Sequence, residues 1–442
     1  MFKAGFARAD ITPPLGTYMT GYFEDRHSKG VLDPIYLNAV AYTDGKKTNL
    51  IITCDATNIN ACYAEEIRKL IAKETGVSSD AVFINVLHQH TAFSLLKAHP
   101  EKTPGEIYRG MLYRKFCDVS LMAIDDMRDA EIYTGTLETS EPVSFVRRYV
   151  MRDGSIRTNP GYRNKDVDHP IGDADNTVRL IRFKTKYGKD IALINFSTHP
   201  DVIGGEKYSA DWPGFVRTFF EKDIGDVSCI VVNGCQGDVN HIDISKPGIW
   251  PGPAKDRNGY CYDYRYSRKM GRMIADTAEE LWETKLKKHK EGAAFAGVRY
   301  AKIKTSRAGE EKTREAEALM RDHLKNGTYY TMEQLAEARR ILGLKFVPDY
   351  IEIPVSVQGV SDIVFVGFGG EPFTEYATEM RASLPGSFVI SACLTNGGEG
   401  YLPSKQAFAE GGYEATTSVF SDVLPGKLWA CARDMFKKFG VK

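Results

Sequence analysis

The sequence of 442 residues predicts an α/β protein, mixed α+β in character, with β-sheets flanked by helices. Short apolar runs of strand length alternate with amphipathic segments of helix length over most of the chain. The hydrophobic fraction of 43% and the charged fraction of 26% are typical of a globular protein with a substantial core. Because no Pro/Ser-rich linker or internal repeat divides the chain, we predict a single domain over residues 1–442.

The predicted elements follow one another in the order strand, helix, strand. The predicted strands cover 49–54, 81–87, 190–197, 228–233, 351–357 and 363–368, and the predicted helices begin near 62, 213 and 264. Gly76 ends the first helix, since glycine readily adopts the left-handed conformation at a helix terminus. Residues 308–342 are rich in Glu, Arg, Lys and Ala and are split by NGTYYT. This composition predicts a helical insertion that folds as a solvated hairpin on the surface.

Charge and hydropathy restrict the partners of the protein. The sequence has 58 lysines and arginines and 58 aspartates and glutamates, so its formal net charge is zero. Because a balanced charge gives no overall positive field to attract a phosphate backbone, we expect no nucleic acid as a partner. No apolar run reaches the roughly 18 residues of a membrane span, so we expect no stable membrane insertion. The N-terminal MFKAGFARADITPP lacks the apolar stretch of a secretory signal, which predicts a cytoplasmic protein. Nothing in the sequence indicates an oligomeric state.

Three histidines lie at the ends of apolar strands. His88 and His90 form an H-x-H motif directly after FINVL, and His199 closes INFSTHP. Side chains at i and i+2 project from the same face of a strand, so both imidazoles of H-x-H would enter one space. Open α/β sheets bind ligands beyond the carboxyl ends of their strands, so the three histidines predict a metal site with zinc as the first candidate. The alternative is that each is a hydrogen-bonded structural residue.

Two further segments bear on this site. The strand IVFVGF is followed by GGEPFTEYATEM, a glycine turn into a helix with Glu371 at its start. A carboxylate in that place either caps the helix or serves as a metal ligand. The segment NGGEGYLPSKQAFAEGGYEA carries Tyr401 and Tyr413 among several glycines, which allow the backbone to approach a pocket closely. A flexible surface loop is the alternative interpretation of this segment.

Six short motifs occur in the order seen in one family. They are AGFARADITPPLGTYMTGY, NVLHQHT, NFSTHPDVIGG, NGCQGDVN, GGEPF and GYLPSKQAFAEGGYEA. Over about residues 4–415 the chain resembles the catalytic domain of the neutral ceramidases, a family of zinc-dependent amidohydrolases. The resemblance implies a neutral-ceramidase-like catalytic fold, and the family's C-terminal immunoglobulin-like domain is not expected here.

The resemblance also implies roles for individual residues. The positions that match the family's Zn²⁺ ligands are His88, His199, Glu371 and Tyr401. The positions that match its substrate-facing shell are His90, Arg147 and Tyr413. In such a site His90 is the natural proton carrier to the leaving amine, because its unperturbed pKa lies near 6.5. We expect the oxyanion that develops during hydrolysis to be stabilised by Arg147, Tyr413 and Asn240.

Two motifs depart from the family pattern. The first site reads LHQHTAF where ceramidases have T-H-T-H-S-G-P, which changes the shape beside the metal. The loop reads Gly237-Asp238-Val239-Asn240-His241 where ceramidases have G-D-V-S-P. An amide cannot act as a nucleophile, so no covalent acyl intermediate is expected at Asn240. Asn240 then either donates a hydrogen bond to the oxyanion or merely caps its loop.

These observations predict a zinc-dependent, ceramidase-like amidohydrolase. Zinc would lower the pKa of water from 15.7 toward roughly 7, and the activated water would cleave the N-acyl bond of a small acylated molecule, with ceramide as one candidate. One alternative is an esterase or a hydrolase of an acylated carbohydrate, since carboxylates abound near the predicted pocket: Asp201, Glu206, Asp211 and Asp243. Another is a catalytically weak, metal-stabilised binding protein.

Overall fold

A computed structural model describes residues 1–22, 25–95, 104–246, 263–284 and 286–441 of the chain. Within these residues the largest layer is a nine-stranded mixed sheet, formed by segments rich in β-branched and aromatic residues. From one edge to the other its strands are Val227–Asn233, Asp190–Phe196, Thr177–Thr185, Arg128–Glu138, Lys3–Asp10, Tyr36–Thr43, Thr48–Cys54 and Val82–Val86, with Lys287–Lys288 paired to Arg128–Glu138.

The helices of the described residues pack mainly on the outer faces of the sheets. They are α1 (Ala61–Thr75), α2 (Pro104–Asp125), α3 (Asp211–Ile224), α4 (Tyr264–Thr284), α5 (Glu310–Asn326), α6 (Met332–Gly343), α7 (Thr374–Ser383), α8 (Lys405–Glu410), α9 (Tyr413–Thr417) and α10 (Leu424–Phe439). Helix α1 ends at Gly76 as predicted, with the glycine in the left-handed conformation at φ 73°. Short 3₁₀ turns cover Ser79–Ala81 and Leu344–Phe346. Helices α1 to α4 cover one face of the nine-stranded sheet, whose apolar side chains pack against theirs.

A second sheet, with four strands, lies against the other face of the large sheet. Its strands, in order, are Ala294–Lys304, Tyr350–Val360, Ile363–Phe368 and Phe388–Ala392. Phe365 and Ile390 from this sheet share a buried core with Tyr42, Phe83 and Phe183 from the large one. Helices α7 and α10 cover the outer face of the small sheet, so the described residues form four layers: helices, sheet, sheet, helices. None of the described helices combines the length and apolarity required to cross a bilayer.

The large sheet is antiparallel at its centre and parallel at both edges. Asp190–Phe196 pairs in parallel with Val227–Asn233, and Thr48–Cys54 pairs in parallel with Val82–Val86. Parallel neighbours require a crossover connection, which α3 supplies at one edge and α1 at the other. The strands that precede the predicted histidines therefore belong to two β-α-β units at opposite edges of one sheet.

Side-chain amides bring these two edges together. The backbone N–H of Asn233 donates to Asn85 Oδ1 at 3.1 Å, and Asn233 Nδ2 donates to the Leu87 carbonyl at 3.0 Å. Asn85 Nδ2 in turn donates to the carbonyl of Cys393, at the end of the small sheet, at 2.6 Å. Buried polar groups need such partners, because an unsatisfied amide in the core costs about 1–3 kcal/mol. The polar contacts thus hold three strand ends at one place.

Short strands build the rim around these strand ends. They are Tyr18–Met19, Arg26–His27, Gly30–Val31, Asn58–Ile59, Ser94–Leu95, Phe145–Val146, Arg148–Met151, Ile156–Thr158, Val167–Pro170, Lys207–Tyr208, Val239–Asn240, Glu371–Pro372 and Tyr401–Leu402. The segment around Tyr401 and Tyr413, for which a flexible surface loop was the alternative interpretation, is ordered into one of these strands and helices α8 and α9. The prediction that Glu371 starts a helix is wrong: Glu371 lies in a two-residue strand, and α7 begins only at Thr374.

Candidate active site

His88 lies two residues beyond the strand Val82–Val86 and has a left-handed backbone, with φ 79°. Its backbone N–H donates to the carbonyl of Ala56 at 2.9 Å, which helps to hold this unfavourable conformation. Its ring Nδ1 lies 2.7 Å from the carbonyl of Thr57. Because a carbonyl can only accept, Nδ1 carries the proton and Nε2 keeps its lone pair, as in a histidine that is prepared to bind a metal.

His199 is oriented in the same way from the other edge of the sheet. It is fully buried, and its Nδ1 lies 2.8 Å from the carbonyl of Gln236 and 3.0 Å from that of Val239. Both acceptors belong to the loop that follows the edge strand Val227–Asn233. His199 therefore also presents an Nε2 lone pair to the space between the strand ends.

His90 completes a group of three imidazoles. Its Nε2 lies 3.3 Å from His88 Nε2, and its backbone N–H donates to the Pro200 carbonyl at 3.1 Å. Gly21 packs against it: a Cβ on Gly21 would lie 2.8 Å from His90 Cγ, and φ at Gly21 is 105°. The two imidazoles of H-x-H do enter one space, but the strand alternation used to predict this is wrong. Both residues lie beyond the strand, and the left-handed turn at His88 aims the rings at each other.

Glu371 and Tyr401 enter the site as a pair. They are directly opposite each other in the parallel pairing of Glu371–Pro372 with Tyr401–Leu402. Glu371 Oε2 lies 3.3 Å from His88 Nε2 and 3.2 Å from His199 Nε2. The Tyr401 ring centroid lies 6.5 Å from that of His199. Capping of α7 does not explain this glutamate, because its carboxylate faces the imidazoles rather than the helix terminus.

The convergence of these groups fits a bound cation. Zinc–ligand bonds of 2.0–2.1 Å imply a tetrahedron in which the ligand atoms lie about 3.3 Å apart. Glu371 Oε2 lies 3.3 Å from His88 Nε2 and 3.2 Å from His199 Nε2, and His88 Nε2 lies 3.3 Å from His90 Nε2. Glu371 Oε2 is buried and has no well-aligned hydrogen-bond donor among the described residues. Two imidazole nitrogens and a carboxylate oxygen that meet at one point are a ligand set that borderline metals prefer.

All three imidazoles can contribute to such a site. Within the described residues, the ring nitrogens of His88, His90 and His199 form a group that lies within 4.8 Å and can hold a metal ion. Its geometry leaves two arrangements: the predicted one, in which His90 carries a proton and Tyr401 is a ligand, and one in which His90 is itself a ligand. Metal content of a His90 variant distinguishes them.

The electrostatics of the cluster follow from burial and mutual contact. Burial raises the pKa of Glu371, but the His88 and His199 imidazoles outweigh burial, and the net pKa lies well below its usual range. Burial lowers the pKa of His88, but Glu371 outweighs it, and the net pKa is raised. Burial and the neighbouring His88 hold the pKa of His90 well below its usual range. Burial also raises the pKa of Tyr401 well above its usual range, so a phenolate there requires a nearby cation.

Arg147 is a buried cation beside the cluster. Its Nη1 lies 3.4 Å from His199 Nε2, its Nη2 donates to the Gly237 carbonyl at 2.7 Å, and its Nε forms an ion pair with Glu414 Oε1 at 2.7 Å. Its guanidinium carbon lies 5.3 Å from the centroid of the Tyr401 ring. Burial lowers the pKa of Arg147, but Tyr401 and Glu414 outweigh burial, and the net pKa is raised. The sequence analysis missed Glu414, which follows Tyr413 in an unremarkable GGYEA segment.

Tyr413 contacts Tyr401 and borders the helical segment 308–342. The two tyrosine rings meet edge to face, with centroids 5.8 Å apart. Helix α6 packs against α9, which begins at Tyr413. Burial raises the pKa of Tyr413, and the charges of Glu371, Glu414 and, to the smallest extent, Glu333 of α6 add to this effect. The segment forms two helices as predicted, but α6 is not only a solvated face, because it supports one wall of the site.

Asn240 lies in the same loop but is engaged in structural contacts. Its Oδ1 accepts from the Ile242 backbone N–H at 3.0 Å, and its Nδ2 donates to Asn159 Oδ1 at 3.1 Å. None of the hydrogen bonds formed by its side chain within the described residues reaches the imidazoles. This geometry corresponds to the loop-capping alternative.

Of the four carboxylates noted in the sequence, one lies beside the imidazoles. Asp201 hydrogen-bonds to His241 Nδ1 at 3.0 Å, and its charge affects the pKa values of His88, His90 and His199. The other three are placed elsewhere: Glu206 pairs with Lys29, Asp211 accepts from the backbone of Val202 and Ile203, and Asp243 caps Ser245. The contact between His241 and Asp201 was not predicted, although the departure from G-D-V-S-P marked the position of His241.

The two packed sheets with this site at their strand ends define a neutral-ceramidase-like fold. The neutral ceramidase from Pseudomonas aeruginosa superposes with a TM-score of 0.73 at 14% sequence identity, over 99% of this chain and 75% of that chain. A ceramidase complexed with C2 superposes with a TM-score of 0.70 at 13% identity, over 99% of this chain and 75% of that chain. No family model and no curated protein matches the sequence. At this identity the likeness is one of fold.

Proposed function

We propose that this chain is a zinc-dependent hydrolase that cleaves an N-acyl bond. The observation that carries the proposal is the convergence of His88 Nε2 and His199 Nε2 on Glu371 Oε2, at 3.3 and 3.2 Å. A buried arginine beside this point and a fold shared with neutral ceramidases support it. The substrate class, a small acylated molecule, and a cytoplasmic location are parts of the same proposal.

The metal would be held by residues from both sheets. In the proposed ligand set, His88 and His199 provide imidazole nitrogens, Glu371 a carboxylate oxygen, and Tyr401 a phenol oxygen. Bound zinc supplies Lewis acidity toward a carbonyl oxygen and lowers the pKa of water, which is the chemistry that amide hydrolysis at neutral pH requires. The Thr57 and Gln236 carbonyls fix the tautomers of the two histidines.

The remaining residues bind, orient and transfer protons. Arg147 is held in place by Glu414 and the Gly237 carbonyl, so its guanidinium is preorganised to stabilise negative charge that develops on the acyl oxygen. In this proposal Tyr413, whose ring meets that of Tyr401 edge to face, donates a second hydrogen bond to that oxygen. His90 accepts the proton that the attacking water loses and delivers it to the leaving nitrogen as the C–N bond breaks.

Turnover and metal content together test this function. Purified protein should contain one zinc ion per chain and should hydrolyse members of a panel of N-acyl amides faster than the matched acyl esters. Chelation should remove the activity, and added zinc should restore it. Stoichiometric metal without turnover on any amide or ester would leave a metal-stabilised binding protein. Faster turnover of esters would assign an esterase instead.

A His90→Ala variant separates proton transfer from metal binding. If His90 carries the proton, the variant keeps stoichiometric zinc and loses on the order of 10²–10⁴-fold in turnover. His289→Ala is a suitable control, since His289 is also buried and paired with a carboxylate, Asp362. Its ring lies away from the candidate site, 6.4 Å from that of Phe388 at the N-terminal end of the strand Phe388–Ala392. Loss of zinc from the His90 variant alone would make His90 a ligand.

A further inference from the structure

Gln89 separates the two histidines of H-x-H and is fully buried. Its Nε2 donates to Asp55 Oδ1 at 2.9 Å and to the Ala210 carbonyl at 3.2 Å. Both partners are acceptors, so the amide nitrogen faces them and both of its N–H groups are engaged. The side chain therefore anchors the middle of the motif to residues outside it.

The anchor for this amide is a buried ion pair. Asp55 directly follows the strand Thr48–Cys54 and is fully buried, and Arg217 of α3 is also buried. Arg217 Nη1 and Nη2 donate to Asp55 Oδ1 and Oδ2 at 3.1 and 2.6 Å, a two-point contact that fixes the orientation of both groups. Helix α3 belongs to the β-α-β unit that carries His199, so the amide joins the H-x-H turn to the opposite unit of the sheet.

A second contact fixes the backbone of Gln89. Thr57 Oγ1 donates to the Gln89 carbonyl at 2.7 Å, while the carbonyl of Thr57 itself contacts His88 Nδ1 at 2.7 Å. The left-handed conformation of His88, with φ 79°, is one that a residue with a Cβ keeps only where its surroundings hold it. Because the side chain and the carbonyl of Gln89 are both held, the turn is fixed, with the Nε2 atoms of His88 and His90 3.3 Å apart.

We propose that Gln89 is a positioning residue: held at its side chain and at its carbonyl, it keeps the rings of His88 and His90 at the separation that a metal ion requires. The inference rests on the proposed zinc-dependent function, and it assigns no atom of Gln89 to the metal or to the substrate. The ceramidase motif T-H-T-H has threonine at this position. A threonine hydroxyl ends two bonds short of Gln89 Nε2 and would not reach the ion pair, so this anchor is a feature of this chain rather than of the shared fold.

Metal affinity tests the proposal without any substrate. Gln89→Met keeps the length of the side chain but removes both N–H donors. It should weaken zinc binding about 10- to 100-fold in competition with a chromophoric chelator, an effect typical of losing a group that supports a metal ligand. The absorption spectrum of the Co²⁺-substituted protein should also change, because the ligands are displaced rather than removed. Wild-type affinity and spectrum in folded Gln89→Met would overturn the proposal.

Gln358→Met is the matched control. Gln358 is also buried, and its Nε2 donates to the Leu50 carbonyl at 3.4 Å. Leu50 lies near the start of the strand Thr48–Cys54, whereas Asp55 follows its end, so Gln358 lies away from the H-x-H turn. Both variants remove a buried amide, but only Gln89→Met should lose metal affinity. An equal loss of affinity in both would assign the effect to general destabilisation and overturn the proposal.

A second pair of variants keeps the test independent of whether Gln89→Met folds. Thr57→Val removes the hydroxyl that holds the Gln89 carbonyl with little change of shape, and Thr57→Ser keeps that hydroxyl. Thr57→Val should therefore weaken zinc binding, while Thr57→Ser should retain the affinity of the wild type. Equal affinities in these two variants would contradict the role assigned to Gln89.

Metal-free crystals separate this proposal from the hydrolase function. Crystal structures of the chelator-treated wild type and variants report the turn itself and require neither metal nor turnover. Loss of the left-handed conformation of His88 in Gln89→Met or Thr57→Val, with the turn kept in Gln358→Met, supports the positioning role even if the wild type binds no zinc. An unchanged turn in metal-free Gln89→Met would reject that role even if N-acyl amides are hydrolysed.

Discussion

The candidate metal site is built by two regions that position their side chains in different ways. The large sheet contributes His88, His90 and His199 from the ends of long apolar strands. The segments around the small sheet contribute Glu371 and Tyr401 from two-residue strands that exist only because they pair with each other. The first region is anchored by a core of many buried side chains, whereas the second depends on a few specific contacts.

The difference shows which parts of a site local sequence can indicate. An apolar strand that ends in histidine is visible in the sequence, because a strand of five to seven residues has its own signature. A two-residue strand has no such signature in the sequence. The glycine turn before Glu371 therefore predicts the start of a helix instead. The proposed ligands of the second region are assigned by the family resemblance, since the local sequence left Glu371 open between helix capping and metal binding.

Loss of a ligand from either region should give the largest effect. His199→Ala and Glu371→Ala should each remove stoichiometric zinc and lower turnover on the order of 10³-fold, because the metal supplies several kcal/mol of catalysis. Metal analysis and turnover, with His289→Ala as the control, measure this. Retention of zinc in the Glu371 variant alone would show that Glu371 is not required for metal binding.

Removal of the charge on Glu414 should destabilise the wall that joins the regions. Glu414 is fully buried and pairs with Arg147 at 2.7 Å and Arg148 at 3.7 Å. Glu414→Gln leaves buried guanidinium charge uncompensated and should lower the free energy of unfolding by about 3–5 kcal/mol in urea titrations. The exposed ion pair between Glu206 and Lys29 is the control. Glu206→Gln should change the free energy of unfolding by about 0–1 kcal/mol. Similar losses in both variants would contradict the assigned burial.

Gly237 is a point of close approach between the regions. A Cβ on Gly237 would lie 2.4 Å from the carbonyl oxygen of Glu371, so the Glu371 strand must move in Gly237→Ala. We expect the free energy of unfolding to fall by about 1–3 kcal/mol. We also expect the metal affinity to fall by about 10- to 100-fold, because losing a contact that supports a metal ligand typically has an effect of this size. Gly343→Ala, where the added Cβ meets open space, should change neither quantity. Unchanged metal affinity in the Gly237 variant would mean that Glu371 is positioned independently of this contact.

Asn240→Ala should give the smallest effect. Its oxygen and one N–H are engaged with Ile242 and Asn159, so the variant should lose about 1 kcal/mol of stability. Because these contacts are structural, turnover should change little, and zinc content should stay unchanged. A fall on the order of 10²-fold at constant stability would instead support the oxyanion role considered from the sequence.

Much of the fold follows from local patterns in the sequence. Apolar runs such as NLIITC and SCIVVN form strands close to the predicted bounds, and Gly76 ends α1 by the predicted left-handed conformation. These elements are predictable because periodicity, β-propensity and termination by glycine act within a few residues. The α/β class and the strand-end position of the histidines follow from the same local physics.

The assembly of the site was decided by tertiary structure. His88 and His199 come from β-α-β units at opposite edges of one sheet. Hydrogen bonds from Asn233 to Asn85 and Leu87 hold these units together. The left-handed turn at His88 and the pairing of Asp201 with His241 have no local signature. Each depends on hydrogen bonds between residues distant in the chain. Such bonds persist where packing excludes the water that competes for both partners, and no short window of sequence contains both.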